Sequence, residues 1–264
     1  MLGRRYLNLS ISLGIMMLMV TSCFGGGDRI EKQSGALSDA LWELAKGAEE
    51  ASSYEKAASY YDRLYERHPK NKIALLGYAR NLRYLGLPKD AIKALQAWKN
   101  EGNDLDLKTE LGKAQLAAAQ INDARITFTE IVKNDPKRWE AYSALGIIYD
   151  RLKRYNEAHS SYQKALELSP DNTSIQNNFA LSLSQDGQID RAILMLKQIV
   201  EDNRSGPQIR QNLALLYGLK GKFKKAYDLS LIDLPRDLAT RNLITLKELH
   251  SINIENTNDK IKLD

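Results

Sequence analysis

Between Trp139 and Asn172 the apolar and small residues fall at Tyr142, Leu145, Gly146 and Tyr149. They return at Ala158, Tyr162 and Ala165 after a polar break around Arg154. Steps of three and four place each group on one face of a helix. The segment therefore predicts two antiparallel helices packed face to face. Helix axes about 8–10 Å apart need small residues where the backbones come closest. Gly146, Ala158 and Ala165 meet that need, and the tyrosines fill the gaps between them. Pro170 stops the second helix, because its ring removes an amide donor and clashes with the preceding turn.

The same grid runs along the chain. Ala57, Ala91, Ala124, Ala158, Ala192 and Ala226 follow one another at intervals of 33 or 34 residues. The rest of the pattern returns in register: Leu44, Ala45, Tyr54, Tyr61 and Pro69 in 38–71, Tyr78, Ala79, Gly86 and Leu95 in 72–104, and Leu111, Gly112, Phe128 and Pro136 in 105–138. It returns again after the 139–172 copy, as Phe179, Ala180 and Gly187 in 173–206, and as Leu213, Ala214, Tyr217, Gly221 and Phe223 in a partial copy, 207–234. This period is the length of the tetratricopeptide (TPR) repeat. The fold expected is all-α, a TPR superhelix (α-solenoid) of about six helix-turn-helix repeats over 38–234. Pro235 opens a capping helix over 235–250, with Leu238, Leu243, Leu246 and Leu249 available to cover the end of the stack. The polar tail, 251–264, is expected to be disordered. Trp98 stands where other copies carry a small residue, which predicts that the second and third repeats are splayed or locally repacked.

The first 22 residues follow another logic. Arg4 and Arg5 precede an apolar stretch from Tyr6 to Val20, then the small residues Thr21 and Ser22, the outline of a secretory signal peptide. The stretch is about 15 residues, shorter than the ~20 a helix needs to cross a bilayer core, and a permanent anchor helix is the alternative reading. Val20-Thr21-Ser22-Cys23 resembles the lipobox of bacterial lipoproteins, whose cysteine receives a diacylglyceryl group before cleavage ahead of it. Cys23 is the only cysteine, so no intramolecular disulfide forms. Acyl chains contribute about 0.8 kcal/mol per buried methylene, and two or more hold a protein stably at a membrane where one does not. By the same resemblance, Phe24 in place of Asp implies sorting to the outer membrane, facing the periplasm. Residues 23–37, with Gly25, Gly26 and Gly27, read as a lipidated flexible spacer.

Charge and chemistry narrow the function further. The formal charge is +5, with Arg4 and Arg5 in the leader, and the remaining charges of both signs alternate along helices. No basic stripe for nucleic acid emerges. His68, His159 and His250 are scattered, and neither an H-E-x-x-H nor a G-x-x-x-x-G-K-[ST] string occurs. Gly218 to Lys222 falls at a helix turn, and Asn103, Asp104 and Asp106 lack the spacing of a calcium loop. The expectation is a non-enzymatic protein with no metal and no cofactor beyond the lipid on Cys23.

Function then lies on a surface. In TPR proteins the first helix of each repeat lines a concave groove. By that resemblance the groove positions are Arg80, Arg83, Lys113, Ser143, Ile147 and Asp150, then Asn177, Asn178, Leu181 and Ser184, then Gln208, Gln211, Asn212 and Leu215. The C-terminal half is rich in amides, which donate to and accept from an extended peptide backbone. Asn178 and Asn212 serve equally well by facing water or capping local backbone.

Two stretches point to a narrower family. Asn177 to Gly187, then Arg210 to Phe223, then Asp233-Leu-Pro235 with Asn242-Leu243, resemble the C-terminal half of the TadD family, the TPR lipoproteins of the Flp pilus (tight adherence) system. The resemblance implies a pilotin-like accessory factor whose partners are a secretin or other pilus assembly components. It weakens after Pro235, where Arg236 to Arg241 replaces an alanine-rich run. Other TPR lipoproteins of the envelope stay open: a type IV pilotin, an accessory of outer-membrane protein insertion, or an adaptor for cell-wall hydrolases.

Overall fold

The computed structural model describes residues 26–98 and 104–261, with side chains over 35–98 and 104–252. Cys23 and the leader lie outside the described residues. The described residues form helices alone, arranged in pairs. α1 (Gly26–Glu50) pairs with α2 (Tyr54–Arg67), α3 (Lys72–Tyr84) with α4 (Pro88–Gln96), and α5 (Leu105–Ala117) with α6 (Ile121–Asn134). α7 (Trp139–Arg151) pairs with α8 (Tyr155–Leu168), α9 (Thr173–Gln185) with α10 (Ile189–Glu201), and α11 (Pro207–Leu219) with α12 (Phe223–Ser230). α13 (Arg236–Ile261) follows them. Each helix packs on the next, and α3, α5, α7, α9, α11 and α13 also touch in succession. The result is a stack whose first helices share one wall.

Local chemistry sets where the helices begin and turn. The side chains of Asn71, Asp104 and Asn172 accept from the exposed first amides of α3, α5 and α9. Pro88 and Pro207 open α4 and α11, where a missing amide costs nothing. The turn between the two helices of each repeat carries one residue with left-handed backbone: Ser52, Gly86, Ala119, Lys153, Gly187 and Gly221. These six sit in the same register, so one turn geometry is used throughout.

Packing follows the alanine grid. Ala57, Ala91, Ala124, Ala158, Ala192 and Ala226 are all 0% exposed. Bulky residues then lie against bare glycine backbone: Tyr61 on Gly77, Phe128 on Gly112, Tyr162 on Gly146 and Leu246 on Gly218. The core passes through a succession of such contacts from Leu41 to Leu246 rather than gathering at one centre.

Several expectations change at the ends of the stack. The spacer read over 23–37 is helical from Gly26 onward. Gly26 and Gly27 fall in the first turn, whose amides lack intrahelical partners anyway, and Asp28 to Gln33 are mostly good helix formers. The tail read as disordered continues α13 to Ile261, because neither proline nor glycine follows Pro235 to stop it. Of the four leucines assigned to the cap, Leu246 is buried and Leu243 half-buried, while Leu238 and Leu249 stay exposed. α13 instead buries the face carrying Ala239 and Leu246, and His250 Nδ1 meets the Leu219 carbonyl at 2.9 Å. Trp98 lies just beyond the end of α4, where its half-buried ring packs against the core of the second and third repeats and stacks on Tyr65 at 6.2 Å.

Candidate binding groove

The wall formed by the first helices is tied together by polar links, most of them joining one repeat to the next. Arg80 on α3 clamps Glu49 on α1 through two bonds of 2.6 and 3.0 Å. Arg83 reaches Glu110 on α5 at 2.8 Å. Arg151 on α7 donates to the Leu116 carbonyl of α5 at 3.1 Å, and Ser182 on α9 donates to Asp150 of α7. Asn212 on α11 donates to Asn177 Oδ1 of α9 at 2.8 Å. At the end of the wall Arg210 and Gln211 both bond Asp233.

These links revise the list of groove residues. Asn177 is 4% exposed and committed to Asn212, so it is withdrawn from the surface. Asn212, Arg80 and Arg83 hold neighbouring helices together, Gln211 holds the turn after α12, and all four offer a ligand only what those bonds leave over. Lys113 and Gln208 are exposed, while Ser143, Ile147, Asn178, Leu181, Ser184 and Leu215 are half-buried. A periodic pattern finds the face of a helix, but not which residue of the next helix bonds to it.

Three of the hollows among the described residues lie along the wall. One of about 390 Å³ lies between α5 and α7, with Lys113, Ser143 and Ile147 around an apolar floor that includes Leu116 and Trp139. The next, about 250 Å³, lies between α7 and α9, where Asp150, Asn178 and Leu181 meet Gln185. The last, about 230 Å³, lies between Gln211 and Leu215 of α11 and Asn242, Thr245 and Leu249 of α13. Residues from α13 and the arginine after Asp150 therefore belong to the groove, although the repeat pattern did not single them out. Apolar floors rimmed by a few polar groups suit side chains of a bound polypeptide.

Electrostatics distinguish the middle hollow. Burial pushes the Asp150 carboxyl above the usual range, against the bonds it accepts from Ser182 and Tyr162 and the charge of His159. Burial also pushes the Tyr162 phenol well up, and the adjacent Asp150 adds to the shift. The pair therefore holds a neutral Tyr162 donating to Asp150 at 2.8 Å. In the first repeat Tyr61 does the same for Glu49 at 3.1 Å, its own pKa pushed up to about 12 by burial and then by Glu49. Among the described residues no group of three or more His, Cys, Asp or Glu is placed to hold a metal ion. No described helix is long and apolar enough to cross a membrane.

Comparison with known proteins agrees with this architecture. Family models of the tetratricopeptide repeat match residues 42–104, 139–172 and 161–193. A poly-beta-1,6-N-acetyl-D-glucosamine export protein of Escherichia coli is 30% identical over 107 residues, covering 39% of this chain and 13% of that protein. The BBSome complex member BBS4 of Mus musculus is 31% identical over 107 residues, covering 40% of this chain and 19% of its own length. The chain thus spans less than a fifth of either relative. Among solved structures, a thermophilic TPR protein of Thermus thermophilus superposes with a TM-score of 0.56 at 23% identity, covering 65% of this chain and 96% of that one. One chain of the APC/C hetero-tetramer Cut9–Hcn1 superposes with a TM-score of 0.66 at 17% identity, covering 84% of this chain and 46% of that one. These likenesses concern the fold.

Proposed function

We propose that this chain, a tetratricopeptide-repeat protein, is a non-enzymatic scaffold that a lipid on Cys23 fixes to the outer membrane, where its groove receives a segment of a secretin or another pilus component. The observation that carries the binding role is the wall itself: its links hold the first helices in register, and three hollows stay open between them. A surface so braced is preorganised for an extended partner and loses little entropy on binding. The envelope address rests on the lipobox and on Phe24, and the pilus role on the TadD resemblance from Asn177 to Leu243.

Affinity capture from detergent-solubilised envelopes tests the pilus role, with captured proteins identified by mass spectrometry. A secretin or pilus protein held by wild type and lost in a folded Asn178→Ala variant supports it. Capture of cell-wall hydrolases instead removes the pilus role and leaves the scaffold. Asn178 is the better probe than Asn212, whose replacement also breaks the bond to Asn177. Cys23→Ser is expected to release a folded protein from the membrane fraction, and continued fractionation with membranes would count against lipid anchoring. Similarity to an export protein favours a second reading, a scaffold in another envelope export apparatus. The same capture experiment separates the two.

A further inference from the structure

Two repeats pair a carboxylate with a phenol at equivalent positions, and only one carboxylate has its cation. Glu49 with Tyr61 and Asp150 with Tyr162 occupy equivalent positions of the first and fourth repeats, and each tyrosine donates to its carboxylate. In the first repeat the following first helix contributes Arg80, whose fork grips both oxygens of Glu49. The equivalent residue after Asp150 is Leu181. Asp150 receives only the hydroxyls of Ser182 and Tyr162, and it has no ion-pair partner among the described residues. The other acids tied along this wall do have one: Glu110 has Arg83, and Asp233 has Arg210.

A carboxylate partly withdrawn from water without a cation is unfavourable, and proteins normally pair such a group. The nearby charges do not supply the pair. Arg151 shares the hollow but spends its Nη1 on the Leu116 carbonyl. His159 lies behind, its ring 5.4 Å from that of Phe179. Where Arg80 fills the first repeat, the fourth has a hollow of about 250 Å³ bounded by Ile147, Leu181, Asn178 and Gln185. That is room for several waters, each occupying about 30 Å³ in the liquid.

We infer that this hollow receives the guanidinium or ammonium group of an arginine or lysine from a bound polypeptide, which takes on Asp150 the place that Arg80 takes on Glu49. Ile147 and Leu181 cover the aliphatic stem, and the amides of Asn178 and Gln185 face the backbone on either side. Arginine fits best, because its planar fork matches both carboxylate oxygens. The inference rests on the groove being a polypeptide-binding surface, and it names the chemistry that one part of it selects.

Two measurements on the full chain test it. Leu181→Arg supplies the cation from within, so the melting temperature should rise by ~2–4 °C relative to the same change made in an Asp150→Asn background. Equal effects in both backgrounds overturn the complementarity. In the second, the isotope-labelled chain is titrated with the capped peptide Ala-Ala-Arg-Ala-Ala and with its neutral citrulline counterpart. Saturable shifts at the Asn178 and Leu181 amides are expected for arginine, at least ~10-fold weaker for citrulline and in the Asp150→Asn variant; each tenfold is one 1.4 kcal/mol step. Equal binding by citrulline, survival in Asp150→Asn, or no saturation by ~10 mM peptide overturns the proposal. Partner capture undiminished by Asp150→Asn would sink this inference and leave the scaffold standing. Peptide binding without any captured partner would do the reverse.

Discussion

A methyl group added to Gly146 would lie 2.6 Å from Cε1 of Tyr162, well inside van der Waals contact. The ring has no easy retreat, because its hydroxyl is held by Asp150 and the residue is 1% exposed. Gly146→Ala is therefore expected to cost ~1–3 kcal/mol, as other overpacked cores do. Gly47 is the control, since a methyl there meets nothing within 4 Å. Gly47→Ala should stabilise by about 0.5–1 kcal/mol, and thermal melts of the two variants should move in opposite directions.

The left-handed turn residues give a second expectation. Gly86, Gly187 and Gly221 adopt that backbone without a side-chain clash, whereas Ser52, Ala119 and Lys153 carry a β-carbon into it at φ 54°, 59° and 57°. The left-handed conformation costs an L-residue roughly 1–2 kcal/mol, offset in part by the entropy a glycine loses on folding. Ala119→Gly and Lys153→Gly should each stabilise by up to ~1 kcal/mol. Urea midpoints should rise with unchanged slope.

Acid titration should separate two aspartates of opposite character. Burial raises Asp150 above its unfolded value, so its ionised form is the one the fold disfavours. That cost is complete above the folded pKa and disappears as pH falls below the unfolded ~3.9. Asp106 is lowered, first by the bond from Arg138 and then by Lys72. Its contribution is complete above ~3.9 and is lost as pH falls through its folded pKa. Stability differences from wild type, followed from pH 7 to pH 3, should therefore slope in opposite senses for Asp150→Asn and Asp106→Asn.

The cap supplies the fourth expectation. Leu246 is 7% exposed and rests on the bare backbone of Gly218, so Leu246→Ala leaves a void against that backbone. A loss of about 2–4 kcal/mol is expected. Amide hydrogen exchange should show the loss concentrated in α11 to α13, since repeat stacks open from their ends.

The repeats were legible because packing writes itself into sequence at a fixed interval: a helix crossing that admits only alanine leaves Ala57 and Ala226 in the same register. The sharing of the wall between ligand and structure was harder to read. Arg80 and Glu49 are 31 residues apart, and only the folded stack shows that the arginine is already taken. Asn177 looked like a groove amide and is instead a buried acceptor for Asn212. The difference between Arg80 and Leu181 was present in the sequence all along. It becomes informative once Glu49 and Asp150 are known to sit in equivalent surroundings. The extents of α1 and α13 escaped because glycines and polar residues were read as loops, although nothing after Pro235 interrupts a helix.

Most bonds along the inner wall tie a repeat to its immediate neighbour, as Glu49 to Arg80 and Asn177 to Asn212 do. Links in series all carry the same load. A pull applied between the ends of this chain would be resisted by its weakest junction, and the repeats would peel away one at a time. The contact between the fourth and fifth repeats, which has a leucine where another junction has an arginine, is a natural place for that yielding to begin. A ligand that filled the vacancy would stiffen the whole rod by mending a single joint.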